Sequence, residues 1–124
     1  MYILGLESSC DETSAAIVEM SEGKRRICAN IIASQIDIHR LYGGVVPEIA
    51  GRAHIEAVTR ITHEALDTAG LTLRDIGLCA VTSHPGLIGA LLVGVNFGKS
   101  LAYANNIPLV GVDHVRGHIA AAYL

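Results

Sequence analysis

The sequence predicts an α/β fold, with three strands first and helices alternating with strands afterwards. Three observations predict it. Short apolar runs at Tyr2–Leu6 and Ala15–Val18 flank small or acidic residues from Glu7 to Ser14, the pattern of two strands joined by a tight polar loop. Apolar residues recur at helical spacing from Glu48 to Ala69. Ile76–Thr82 and Leu109–Val112 are continuous in apolar residues, as buried parallel strands are, and each leads into a helical pattern.

Ser21 to Lys24 predicts a second turn, and about Arg25 to Ser34 a third strand, so the chain begins as an antiparallel meander. Ile36 to Glu48 is irregular, with Gly43-Gly44 inside it and Pro47 suited to the first turn of the next helix. That helix carries Ile49, Ala53, Ala57, Val58, Ile61, Ala65 and Ala69 on one face and ends at Gly70; His54 and His63 within it read as surface or groove residues. The strand from Ile76 feeds the turn Ser83 to Gly89, then a helix from about Leu87 to Asn105 that ends at Asn105-Asn106. Pro108 opens the last strand, and Asp113 is placed to cap the helix that follows.

At 124 residues this is one domain, and with 51% apolar but only 4% aromatic residues its core must be aliphatic. A formal charge of −3 gives no overall signature of nucleic-acid binding. Cys10, Cys28 and Cys79 stand singly, which fits free thiols in a reducing cytoplasm. Glu7 interrupts the first apolar run and no basic region precedes it, so an ordinary signal peptide is excluded; no segment reads as a membrane span. The sequence stops inside a helical pattern at Ala120-Ala121-Ala122-Tyr123-Leu124, so a fragment of a longer protein is expected.

His114 and His118 lie four residues apart where the last helix begins, so both rings project from one face. That is metal-ligand spacing; the alternative is two partly exposed histidines near a helix terminus. Val115 stands where the zinc-peptidase motif H-E-x-x-H needs its Glu, which weakens a hydrolase reading. The Glu7–Ser14 loop offers hydroxyls and backbone N–H groups to an anion, while Glu7, Asp11 and Glu12 could hold a cation or position a base; otherwise it is a solvated turn. The turn Ser83-His84-Pro85-Gly86 opens a helix, where unpaired N–H groups favour an anion. Gly94 to Ser100 imitates a phosphate-binding Walker sequence but is one residue short and falls late in a helix. His39, Arg40 and Tyr42 form a cluster able to touch phosphate or stack on a base, or else a mobile connection.

A meander followed by strand–helix units is the order of the ribonuclease H-like lobe, duplicated in the actin, hexokinase and Hsp70 (ASKHA) superfamily, here with room for one lobe. Three blocks carry a closer resemblance: LGLESSCDETSAAIV, HRLYGGVVPEIAGRAHIE and PGLIGALLVGVNFGKSLAYANNIPLVGVDHVRGHIAAAYL. They resemble the TsaD family, formerly Gcp or O-sialoglycoprotein endopeptidase, with Kae-type relatives. The likeness covers essentially the whole chain, and Lys99-Ser100 to His118-Ile119 fits the signature that ends in the paired histidines.

The resemblance implies the amino-terminal lobe, residues 1–124, of a two-lobed actin-like protein. The implied activity moves threonylcarbamoyl from threonylcarbamoyl-adenylate to the exocyclic amine of the adenosine beside the anticodon of tRNA. It implies one divalent metal, iron or zinc, on His114 and His118, with ATP or another adenine nucleotide as a further possible ligand. Ser9, Asp11 and Glu12 would face adenylate and metal, Asp11 or Glu12 orienting the amine or taking its proton. His84, Pro85 and Gly86 form the second phosphate-facing turn. Implied partners are tRNA, with Arg40, Arg52 and Arg60 as weak docking candidates, a paralogous actin-like protein and an ATPase. An uncovered apolar face also allows a homodimer or a purely non-catalytic interaction module. An O-sialoglycoprotein endopeptidase is the remaining enzymatic alternative. Two departures stand out. His84 occupies the position where the family usually has Gly, and the family completes its metal site with an Asp from the second lobe. The lobe alone is therefore expected to bind metal weakly and to transfer nothing.

Overall fold

In the computed structural model, which describes residues 1–124, β1 (Tyr2–Glu7), β2 (Glu12–Ser21) and β3 (Lys24–Ser34) form the expected antiparallel meander. β1 also pairs in parallel with β4 (Ile76–His84), which pairs in parallel with β5 (Leu109–Asp113). The five-stranded order is β3-β2-β1-β4-β5. α1 (Ile36–Arg40) and α2 (Pro47–Ala69) connect β3 to β4, α3 (Ile88–Asn105) connects β4 to β5, and α4 (His114–Ala121) follows β5. A mixed sheet flanked by helices is thus what the order of apolar runs predicted.

Period-two alternation decides the two faces of the sheet. Leu4, Leu6, Ala15, Ile17, Ala29, Cys79 and Val81 point to one side and are buried with Ile61 and Ala65 of α2 and Ala102 of α3. Each fully buried Leu or Ile contributes roughly 1.5–3 kcal/mol. The intervening residues, Gly5, Glu7, Ser14, Ala16, Ala80 and Thr82, line a cleft of about 410 Å³ on the opposite side, with Gly117, His118 and Ala121 of α4 as its other wall.

The helix ends follow local chemistry. Pro47 occupies the first turn of α2, and Gly70, at φ 68°, ends it in the left-handed conformation. Asn106 does the same for α3 at φ 54°. The Asp113 side chain accepts the Arg116 amide and caps α4. A 3-10 turn at Leu73–Asp75, closed by a reciprocal Thr72–Asp75 capping box, has no counterpart in the sequence reading. No helix is long and apolar enough to cross a membrane.

Two expectations require correction. His54 is fully buried, not a surface or groove residue: Thr13 Oγ1 lies 2.7 Å from its Nδ1 and the Cys10 carbonyl 2.8 Å from its Nε2. His39 is also buried, 2.9 Å from Gln35 Oε1 through Nε2 and receiving the Val46 amide on Nδ1 at 3.3 Å. It holds the 41–46 turn rather than offering itself to phosphate, while Arg40 and Tyr42 remain exposed. Gln35 links the two rings, because its Nε2 lies 3.5 Å from His54 Nδ1 and donates to the Ala50 carbonyl at 3.4 Å.

Candidate functional site

The site lies at the carboxyl edge of the three parallel strands, where open α/β sheets place their ligands. Register brings the strand ends together: Leu6 pairs with Val81, Thr82 with Val112, and His84 with Asp113. Glu7 ends β1, Thr82 to His84 end β4, and Asp113 delivers the chain from β5 directly into His114.

His114 and His118 present their Nε2 atoms 3.0 Å apart, with ring planes at 85°. Both rings face the same side of α4, as their spacing predicts. Two bonds of about 2.1 Å to one ion set such nitrogens about 3.0 Å apart at a right angle and about 3.4 Å apart at the tetrahedral angle zinc prefers, and neutral imidazoles suit zinc and iron. The pair therefore fits a shared divalent ion. It supplies two ligands, and no third His, Cys, Asp or Glu side chain is placed to complete a metal-holding group with them.

The acid that meets this pair is Glu7. Its Oε2 lies 3.0 Å from His114 Nδ1 and accepts from Thr82 Oγ1 at 2.6 Å, while Oε1 accepts from the Ser9 amide. Partial burial acts to raise the Glu7 carboxyl, but hydrogen bonds from Ser9, Thr82 and His114 outweigh it and hold it below its ordinary value. Ser9 Oγ also reaches His114 Nδ1, at 3.2 Å. Glu7 appears in the sequence reading only as one of three loop acids. The alternation Leu4-Gly5-Leu6-Glu7 would have placed its side chain on the open face.

Asp11 and Glu12 are not drawn to the histidines; no hydrogen bond or ion pair joins them, and the acid paired with His114 is Glu7. Asp11 lies against the exposed Cys10 thiol, whose pKa is raised by desolvation and then by the Asp11 charge. Glu12 is exposed at the start of β2.

The second turn is locked to the first. A Cβ on Gly86 would fall 2.6 Å from the Ser9 carbonyl oxygen, and the Leu87 amide donates to that oxygen at 2.8 Å. Only glycine permits this approach. His84 and Pro85 are exposed beside it, and His84 Nδ1 lies 2.8 Å from Ser83 Oγ, with its Nε2 3.5 Å from Asp113 Oδ2. The Asp113 carboxyl is held low chiefly by the Arg116 amide it accepts. α3 starts at this turn without a side-chain cap, so its first amides stay open to an anion. Of the sequence-predicted residues, Ser9, Gly86, His84, His114 and His118 thus share one edge, with Asp11 on the adjoining loop and Glu12 at the start of β2.

The three arginines read as docking candidates are each paired on their own helix: Arg40 with Asp37 at 3.9 Å, Arg52 with Glu48 at 2.8 Å and Arg60 with Glu64 at 3.3 Å.

Residues 26–124 match the family model described as TsaD: tRNA N6-adenosine threonylcarbamoyltransferase. The chain belongs to the TsaD family. Proteins of that name from Moorella thermoacetica and Bacillus subtilis are 61% and 58% identical to it over 98% of its length. The Fusobacterium nucleatum protein is 56% identical over all of it. The chain spans only about a third of each, 34–36% of their lengths. Among solved structures, YeaZ from Pseudomonas aeruginosa overlays 90% of the chain, and 43% of its own, with TM-score 0.66 at 21% identity. Thermus thermophilus RuvC in complex with a Holliday junction substrate overlays 93%, and 67% of its own chain, with TM-score 0.59 at 11% identity. Both likenesses are of fold, and both support the ribonuclease H-like assignment of this TsaD lobe.

Proposed function

We propose that the chain is the amino-terminal lobe of a cytoplasmic tRNA N6-adenosine threonylcarbamoyltransferase, and that its carboxyl-edge site holds the threonylcarbamoyl-adenylate donor. The observation that carries this reading is the meeting of three parts at one edge in a TsaD-family chain: the Nε2 pair of His114 and His118, the Ser9–Gly86 double loop and the open first turn of α3.

In the proposed reaction the adenosine amine forms a C–N bond to the carbamoyl carbon, the carbon–oxygen bond to phosphate breaks, AMP departs, and the amine loses one proton. The chain's own residues would bind and orient. Ser9, the Gly86 turn and the first amides of α3 offer donors to the adenylate phosphate, where charge grows as AMP leaves. Asp11 and Glu12, with no ion pair to hold them, remain the side chains to orient the incoming amine or receive its proton. His114 and His118 would hold a divalent ion, iron or zinc, which when bound would draw negative charge from donor oxygens. Further ligands fall to water, substrate or residues of a longer protein, so metal held by the lobe alone is weak. ATP or another adenine nucleotide would bind by the same anion chemistry.

tRNA is the substrate the family name implies. For the paralogous actin-like partner, or a second copy, the α2–α3 ridge offers exposed Ile55 and Leu92 around a groove of about 500 Å³.

The test is transfer of labelled threonylcarbamoyl from the adenylate to tRNA. A longer protein carrying this lobe is expected to label tRNA, to stop with a chelator and to lose activity on His114→Ala, while the 124-residue chain gives no transfer. Transfer indifferent to both the chelator and His114→Ala would contradict the reading.

A further inference from the structure

Glu7 Oε2 and His114 Nδ1 are 3.0 Å apart, and they cannot face each other without a proton between them, since two lone pairs would then be opposed. The Ser9 amide donates to Oε1 and Thr82 Oγ1 donates to Oε2, so both oxygens of the carboxylate already act as acceptors. The proton therefore belongs to the nitrogen. His114 Nδ1–H donates to Glu7, which leaves the lone pair on Nε2, the atom 3.0 Å from His118 Nε2. With both rings neutral and no cation between them, His118 supplies the hydrogen of that contact from its own Nε2, so the two rings hold opposite tautomers.

The geometry points to Glu7 as a positioning residue: its carboxylate fixes His114 as the Nδ1–H tautomer and so presents the Nε2 lone pair to any cation shared with His118. A carboxylate behind a ligating imidazole orients the ring and raises its basicity. Anchoring makes Glu7 suited to this. It ends β1, is gripped by Thr82 from β4 and by the Ser9 amide from the adjoining loop, and receives α4 through His114, so one side chain ties four segments into one register. Ser9 Oγ, at 3.2 Å from the same Nδ1, is the competing partner. The tautomer stands on hydrogen bonding alone; only its consequence for a metal rests on the function proposed above.

Nitrogen–carbon correlation NMR of the imidazoles in the metal-free full chain reads the tautomers directly, and competition with a chromophoric chelator reads affinity for Zn²⁺ alone. The wild type is expected to show His114 as Nδ1–H and His118 as Nε2–H. Glu7→Gln should mix the His114 tautomers and lower Zn²⁺ affinity about 10–100-fold, while Ser9→Ala leaves the tautomer unchanged. Should Glu7→Gln fail to fold, Glu7→Asp withdraws the carboxylate by one methylene, retains its charge and should give the same tautomer change. An Nε2–H His114 in the wild type overturns the proposal. So does a His114 tautomer that responds to Ser9→Ala but not to either Glu7 variant, or Zn²⁺ affinity that survives them undiminished. If the wild type binds no Zn²⁺, the metal reading above fails, and the tautomers still decide the role of Glu7.

Discussion

The hydroxyl of Ser8 donates to the Ala90 carbonyl at 2.8 Å and accepts the Gly94 amide at 3.1 Å, so the loop after β1 is bolted to the first turns of α3. Ser8 is only 1% exposed, and a Cβ on Gly94 would fall 2.5 Å from its Oγ. Gly94 is therefore the point where a serine from the site loop comes closest to this helix.

Gly94→Ala is expected to destabilise the chain by about 1–3 kcal/mol through overpacking, and Ser8→Ala by about 1–2 kcal/mol through the lost hydrogen bonds. Urea midpoints measure both. In the double variant Ser8→Ala/Gly94→Ala the added methyl enters space the hydroxyl vacates, so its loss should be smaller than the sum of the single losses.

His54→Ala should cost about 3 kcal/mol, since it opens a cavity beneath α2 and strands Thr13 Oγ1 and the Cys10 carbonyl. His63→Ala, at an exposed position of the same helix, should stay within about 0.5 kcal/mol of wild type. Parallel denaturation curves of the two variants check the contrast.

The thiols should differ in reactivity. Burial pushes Cys79 up to about 11, whereas Cys10 is exposed. Alkylation of the folded chain followed by mass spectrometry should modify Cys10 and spare Cys79. Asp11→Asn should speed Cys10 alkylation, because removing the adjacent charge lowers its raised pKa and enlarges the thiolate fraction.

Asp75 tests pH linkage. The Thr72 amide and hydroxyl hold its carboxyl below the usual range. A depressed folded pKa means the contribution is present above the unfolded Asp value and is lost as pH falls through the folded one. Thermal melts across acid pH should show wild-type stability dropping towards that of Asp75→Asn, with the gap constant near neutrality.

The order of elements along the chain was legible because each piece left a local mark: apolar runs in the strands, helical period in α2, a capping Asp before α4. The histidine pair was legible for the same reason, since four-residue spacing fixes relative direction. What could not be read was pairing over long sequence separations. Glu7 meets His114 across 107 positions, and although alternation along β1 turns Glu7 to the open face, no local pattern pairs it with His114. His54 was misplaced because a helical-period count treats histidine as polar, while its two nitrogens are satisfied by Thr13 and the Cys10 carbonyl, in a loop more than forty residues earlier. The arginines' pairing was also local, since the acids they meet lie three or four residues away on the same helices.

The most direct measurement of the central claim is a Zn²⁺ titration of the chain beside His118→Ala, followed by isothermal calorimetry. Weak but saturable binding of one ion per chain, abolished in the variant, is the predicted result. Identical titrations of the two proteins, or no saturable binding by the wild type, would contradict the claim that these two imidazoles form the heart of the site.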